Sequence, residues 1–164
     1  MKLPKHTVCT LSPSPLGPIT LAAAGDKLVG VWFEAQAHSP NLSGYAQAPG
    51  HPVLQQAAEQ LAEYFAGQRR QFALPLDLST GTAFQQKVWQ ALLNIPFGQT
   101  SSYKALSMVI GHPAAMRAVG GAVGRNPLSI IVPCHRVVGC HGALTGYAGG
   151  LDRKTDLLHL EGSR

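Results

Sequence analysis

Charged residues are scarce in this chain: Asp, Glu, Lys and Arg make up 13% of its 164 residues and aromatics 7%, while 45% are hydrophobic. Little charge with so much apolar material excludes a disordered chain. At this length one large domain or two small ones can bury a core without disulfides or metals. Long apolar runs are also missing. No stretch approaches the roughly 20 residues of a membrane span, and Met1-Lys2-Leu3-Pro4-Lys5-His6 lacks the apolar run of a signal peptide. Cysteine occurs only at positions 9, 134 and 140. Three cysteines without a C-x-x-C pair cannot all pair within the chain. A cytoplasmic, reducing location with no membrane partner is expected.

The charge that is present is unevenly placed. Up to Thr80, Lys2, Lys5, Lys27, Arg69 and Arg70 balance Asp26, Glu34, Glu59, Glu63 and Asp77. Beyond Thr80, eight basic residues face only Asp152, Asp156 and Glu161, so the whole net charge of +5 lies there. Such a half suits an anionic partner, although a small basic excess also serves solubility alone.

Short β-prone runs at residues 7–11, 19–24 and 28–33 are separated by Pro13, Pro15 and Gly17 and by Gly25-Asp26, and the last two predict a hairpin. Residues 35–51 lack apolar periodicity and read as a surface loop with no function indicated. Pro52 opens a helix through Leu54, Ala57, Ala58, Leu61 and Phe65, closed by Gly67, with a strand expected over 72–74. Ser79-Thr80-Gly81-Thr82 reads as a linker, dividing the chain into domains 1–80 and 81–164.

After the linker, Phe84, Val88, Ala91 and Leu92 predict a helix ending before Ile95-Pro96. Ser101 or Ser102 caps a second helix through about Val109. Gly111-His112 breaks it, and Pro113 starts a third through about Gly124. Helix, short turn and helix form a helix-turn-helix pattern. On the third helix Met116, Val119 and Val123 share one face, with Arg117, Gly120, Gly121 and Gly124 away from it. Each helical glycine costs about 1 kcal/mol against alanine, so something must approach that face closely. Another protein helix would do, but the flanking Arg117 and Arg125 favour a DNA backbone. The overall class is α+β: a small β-sheet-plus-helix domain followed by a helix-turn-helix, winged-helix-like domain.

An apolar run from Leu128 to Val132, read as a strand, delivers Cys134 beside His135. A thiolate is the nucleophile, and a base or cation nearby raises its fraction. Neighbours on an extended strand point to opposite faces, so adjacency in sequence does not establish contact. Buried cysteines are also common as mere core residues.

Pro133-Cys134-His135-Arg136-Val137 resembles the signature of the O6-alkylguanine-DNA alkyltransferases, the methylated-DNA–protein-cysteine methyltransferases. Phe84-Gln85 with Val88-Trp89, Ile95-Pro96 with Gly98 and Tyr103, and Arg117-Ala118-Val119-Gly120 match that family's pattern in order and spacing. So do Asn126-Pro127, Gly146-Tyr147 with Gly149-Gly150, and Leu158 with Glu161-Gly162. The resemblance covers residues 84–162. It implies direct-reversal DNA repair, in which Cys134 takes the alkyl group of O6-alkylguanine irreversibly onto its sulfur, one base per protein molecule. O4-alkylthymine is a further candidate substrate.

By that resemblance His135 acts through a water as base, Glu161 orients it, and Asn126 braces the turn. Arg117 fills the gap left by the extruded nucleotide, and Tyr103 pushes the flanking phosphate. Gly120, Gly121, Gly124 and Arg125 meet the minor groove and the phosphates. Tyr147, Ala148, Gly149 and Gly150 line the base pocket, Ala148 standing where some relatives carry serine. Plainer roles exist: a phosphate contact for Arg117, a half-buried core ring for Tyr103, an ordinary carboxylate for Glu161. The expected partner is duplex DNA bound by a monomer, with clustering left open. No cofactor and no metal are expected, since Cys9, Cys140 and the histidines do not stand at metal spacing. A non-catalytic DNA-binding module and a cysteine hydrolase are the other readings. The intact Cys134 weakens the first, and nothing beyond the Cys-His pair supports the second.

Overall fold

The computed structural model describes residues 1–164. Its N-terminal part is a four-stranded sheet of β1 (Val8–Ser12), β2 (Ile19–Ala24), β3 (Lys27–Phe33) and β4 (Ala46–Gln47), in the order β3-β2-β1-β4. The β2–β3 hairpin turns on Gly25-Asp26, with Ala24 opposite Lys27 and Gly25 at φ +61°. β4 lies within the segment expected to be plain loop, where Ala46 and Gln47 pair parallel with Val8 and Cys9. A two-residue bridge carries no periodic signal, so pattern reading misses it.

Helix α1 (Pro52–Phe65) packs Leu54, Ala57, Leu61 and Tyr64 into the core. The His51 ring caps it by accepting the Val53 N–H at 3.2 Å. At its end Gly67 takes φ +76° and donates to Tyr64 O, while the Gln68 N–H reaches Glu63 O, closing the last turn.

The strand expected over 72–74 does not form. The β3 edge is closed instead one step later, by the Leu28 N–H to Pro75 O at 2.8 Å and the Asp77 N–H to Leu28 O at 2.9 Å. Pro75 can accept but not donate, so a short bridge replaces a ladder. The apolar run before Cys134 is not a strand either. Pro127 and Ser129 bridge Val31 through bonds of 2.8 and 3.0 Å, and the chain then curls tightly, with Val132 N–H on Leu128 O and Ile130 at φ +71°. Such a φ is strained for a β-branched residue, at a cost of order 1–3 kcal/mol. Burial from all sides, not strand geometry, accounts for this apolar run.

The C-terminal part contains α2 (Ala83–Leu92), α3 (Tyr103–Val109), α4 (Met116–Gly124) and α5 (Leu151–Leu160). Two residues of β5 (Ser101–Ser102) pair parallel with β6 (Val137–Val138). A reciprocal box between Thr82 and Gln85 caps α2, and Ser102 caps α3 by accepting the Ala105 N–H at 3.0 Å. α4 begins at Met116 and not at Pro113, which enters a turn closed by the Ala115 N–H on His112 O; Ala115 offers no side-chain cap. Met116 shares a face with Val119 and Val123 in the sequence pattern, but only the two valines are buried. As the first residue of α4 Met116 is 45% exposed, and Ala122 takes its place inside. One main core unites Leu21, Val31, Leu54 and Tyr64 with Trp89, Val119, Val132 and Leu157, so it crosses residue 80 without a break. No helix is long and apolar enough to cross a membrane.

Candidate active site and nucleic-acid face

Cys134 opens a 3-10 turn, Cys134–Arg136, and not the end of a strand. That turn sends successive side chains in different directions within a buried setting. Cys134 faces a cavity of about 560 Å3, while His135 and Arg136 are turned toward Glu161 at the end of α5.

Asn126 organises the loop between α4 and the thiol. Its Oδ1 accepts the Leu128 N–H at 2.9 Å, and its Nδ2 donates to Val132 O at 2.8 Å and to Cys134 Sγ at 3.1 Å. The bracing role implied for Asn126 thus has a direct geometric counterpart. Burial pushes the thiol pKa up, with Asn126 and the ammonium of Lys154 working against that rise. The resting sulfur is therefore a thiol and must lose its proton to react.

Behind it, His135 Nε2 lies 2.7 Å from Glu161 Oε2. Arg136 donates from Nε to Oε1 at 2.8 Å and from a terminal nitrogen to Oε2 at 3.0 Å, and Tyr64 of α1 donates its hydroxyl to Oε2 at 2.6 Å. The other terminal nitrogen of Arg136 reaches Ile95 O at 2.6 Å. Burial alone would raise the Glu161 carboxyl, but the hydrogen bonds from His135, Arg136 and Tyr64 outweigh it and bring it down to about 2. Burial lowers the His135 pKa, with Glu161 opposing. An ionised carboxylate can only accept, so His135 carries its proton on Nε2. Its Nδ1, buried and without a partner, is then a free acceptor.

Sequence reading placed Cys134, His135, Glu161 and Asn126 here. It missed Tyr64 and Arg136, which hold the carboxylate, and Lys154, wholly buried with its ammonium on Thr145 O at 3.1 Å. Burial lowers Lys154 to about 8. A lysine inside an apolar stripe of α5 is a signal that could have been read, since unpaired lysines are rarely buried. Tyr64 gave no signal, because 97 residues separate it from Glu161.

The cavity in front of Cys134 is walled by Tyr103, Met116, Arg117, Gly120, Val123 and Gly124 from α3 and α4, and by Thr145, Gly146, Tyr147 and Ala148. The wall thus starts two residues before Tyr147. Gly149 and Gly150 stand behind it. A Cβ on Gly149 would lie 2.7 Å from the Tyr147 ring, and Gly150, at φ +94°, precedes α5. The Tyr147 hydroxyl is buried beside the Cys134 thiol and the Ser129 hydroxyl, without a hydrogen bond of good geometry to either. Burial raises its pKa well above the ordinary range, and charge on Cys134 would raise it further. Tyr103 packs 3.8 Å from the Cβ position of Gly120, and its hydroxyl accepts from Thr145 Oγ1 at 3.2 Å. Gly121 and Gly124 have nothing within 4 Å of a Cβ. No neighbouring protein helix therefore explains these two glycines. Ala37 and His38, from the loop read as functionless, also line the cavity, tied down by the Ala37 N–H to Ala148 O at 2.9 Å. Cys9 is buried in the sheet and Cys140 is exposed.

Fold and site together define a helix-turn-helix protein whose cysteine shares a cavity with α4 and is followed in the chain by a histidine buried against a carboxylate. The comparisons narrow this class. Residues 83–163 match the DNA binding domain of 6-O-methylguanine DNA methyltransferase, and residues 7–78 match that protein's ribonuclease-like domain. A methylated-DNA–protein-cysteine methyltransferase of Mycobacterium bovis is 50% identical, over 92% of this chain and 90% of its own. The constitutive one of Bacillus subtilis is 46% identical, over 93% of each. The crystal structure of Mycobacterium tuberculosis OGT in complex with DNA superposes with a TM-score of 0.90 at 48% identity, covering 95% of this chain and 93% of that one. The chain belongs to the 6-O-methylguanine DNA methyltransferase family.

Proposed function

We propose that this protein repairs DNA by direct reversal, extruding O6-alkylguanine from a duplex and transferring the alkyl group to Cys134. The observation that carries this reading is the relay. Glu161 fixes the His135 proton on Nε2 and leaves Nδ1 as a buried free acceptor behind a protonated thiol. A water between them would pass the thiol proton to Nδ1 as the sulfur attacks. The S–C bond forms as the C–O6 bond breaks, and the base takes up a proton and leaves as guanine. Lys154 would favour the thiolate, and Glu161 the imidazolium, as the carboxylate of a Ser-His-Asp triad does. The resulting thioether is a stable bond, so each molecule would act once.

A base stacked in a duplex cannot reach a buried sulfur, so it must be extruded, at a cost of a few kcal/mol. Arg117, on the cavity rim, would occupy the vacated place, and Tyr103 would press on the flanking phosphate. The open glycines of α4 suit close approach to a minor groove. Residues 81–164 would carry DNA binding and alkyl acceptance. Residues 1–80 would support them by presenting Tyr64 and the β3 edge. Three unpaired cysteines suit the cytoplasm.

The test is mass spectrometry of the protein mixed in equimolar amount with a duplex carrying one O6-methylguanine. One methyl on the Cys134 peptide is the expected result. An unmodified protein that still binds the duplex would overturn the transferase reading.

A further inference from the structure

Beside the Cys134 cavity lies a second hollow of about 420 Å3, lined by His38, Ser39, Thr80, Gln85 and Arg125 against Trp89. His38 belongs to both walls. The lining is rich in donors and contains no carboxylate. Arg125, exposed at the end of α4, has no carboxylate partner. Gln85 spends its Oε1 on the Thr82 N–H at 3.0 Å, which leaves its amide hydrogens as donors. The Thr80 hydroxyl is buried without any hydrogen-bond partner, and rotation about χ1 would turn it to an acceptor in the hollow. A buried hydroxyl with no partner is uncommon enough to need an explanation.

The loop carrying His38 is built to stay in place. Gln36 is buried, its Oε1 taking the Phe33 N–H at 3.0 Å and the Ser129 hydroxyl at 2.9 Å, and the Ser39 hydroxyl donates to Gln36 O at 2.9 Å. Ala35 and His38 both adopt positive φ, 57° and 62°. Strain in two non-glycine residues persists only where surrounding contacts over-determine it. This loop thus projects an imidazole toward the basic end of α4. Arg125, the cap residue of α4, lies eight positions beyond Arg117, about 12 Å of rise. A duplex carries a phosphate for roughly every 1.7 Å of axis. One seated on Arg117 therefore has backbone within reach of the hollow.

We propose that this hollow is a phosphate-binding subsite, in which His38, Thr80 and Gln85 join Arg125 in gripping the DNA backbone outside the base pocket. The proposal rests on the DNA-repair reading above. It extends the DNA footprint onto the N-terminal half, to a loop whose composition and spacing carry no functional pattern.

The experiment measures duplex affinity by fluorescence anisotropy across a salt series, for the wild-type protein, for the single variants His38→Ala, His38→Arg, Thr80→Val and Arg125→Ala, and for Arg125→Ala combined with His38→Ala. Each lost cationic phosphate contact lowers the slope of log affinity against log salt by about 1. His38→Ala and Thr80→Val are each expected to weaken binding several-fold, Arg125→Ala to flatten the slope by about 1, and His38→Arg to restore affinity with a steeper slope. The double variant should flatten the slope no further than Arg125→Ala does if both residues hold one phosphate. Unchanged affinity in His38→Ala and Thr80→Val would overturn the subsite while leaving the repair reading intact. A wild-type protein that neither binds duplex nor accepts a methyl group would overturn both.

Discussion

Around Glu161 both carboxylate oxygens are occupied, by His135, Arg136 and Tyr64, whereas along α4 Gly121 and Gly124 meet nothing and Arg117 has no acid to pair with. Cys134 joins the two regions, contacting Asn126 on one side and the cavity on the other. The hydrogen bonds around Glu161 are already made in the protein alone, which is the preorganisation that the proposed relay would require. The outer region is left incomplete, and its glycines cost helix stability that only a partner can return. Reaction and recognition thus make opposite demands on neighbouring residues.

The strongest way to separate them is Cys134→Ala, which should abolish alkyl transfer in the mass assay yet retain duplex binding. Transfer by that variant would sink the assignment of the nucleophile. Next comes Glu161→Gln, which strips Arg136 of its buried partner and should cost about 3–5 kcal/mol in urea denaturation. The same change should slow single-turnover transfer by ~10²–10⁴ through loss of the oriented base. On the outer side, Arg117→Ala should slow repair of duplex by roughly 10-fold to 100-fold, matching a flipping cost of a few kcal/mol, and hardly affect free O6-alkylated base. Equal losses on both substrates would remove Arg117 from the flipping step.

Acid should dismantle the inner region gradually. His135 and Glu161 both have lowered pKa values in the folded state, so the unfolded chain binds more protons. Stability should therefore begin to fall below pH 6.5, the ordinary value for His135, and fall further from 4.5 toward about 2 as Glu161 protonates. Thermal melting against pH checks this, and a flat profile from 7 to 4 would contradict it. The smallest effect belongs to Gly121→Ala, which should stabilise the protein by about 1 kcal/mol while weakening duplex binding. A gain in stability without loss of affinity would mean that this face meets no DNA.

Much of this was legible in the sequence because it depended on local chemistry. Gly25-Asp26 forced a hairpin, the spacing of Phe84, Val88 and Leu92 gave the first helix after residue 80, Ser101-Ser102 marked the start of the next, and the family motifs directed attention to Cys134, His135, Asn126 and Glu161. What escaped was decided by distant partners. The run before Cys134 looked like a strand because all but Ser129 of its residues are apolar, yet burial on all sides produces the same composition in a strained turn at Ile130. Pro113 promised a helix start that the following alanines could not cap. Residues 35–51 lacked periodicity, and their role came from Gln36 reaching Ser129, a contact across 93 residues.

The bond from Tyr64 to Glu161 also bears on how the protein comes apart. Tyr64 belongs to the sheet-bearing half and Glu161 to the far end of the chain, and the core between them is continuous. Separating residues 1–80 from the rest would leave Glu161 without one donor and expose the Leu128 turn that leans on β3. Calorimetry of the intact chain should accordingly show a single heat-absorption peak, with calorimetric and van't Hoff enthalpies in agreement. Two segments that can be told apart by sequence would then melt as one body.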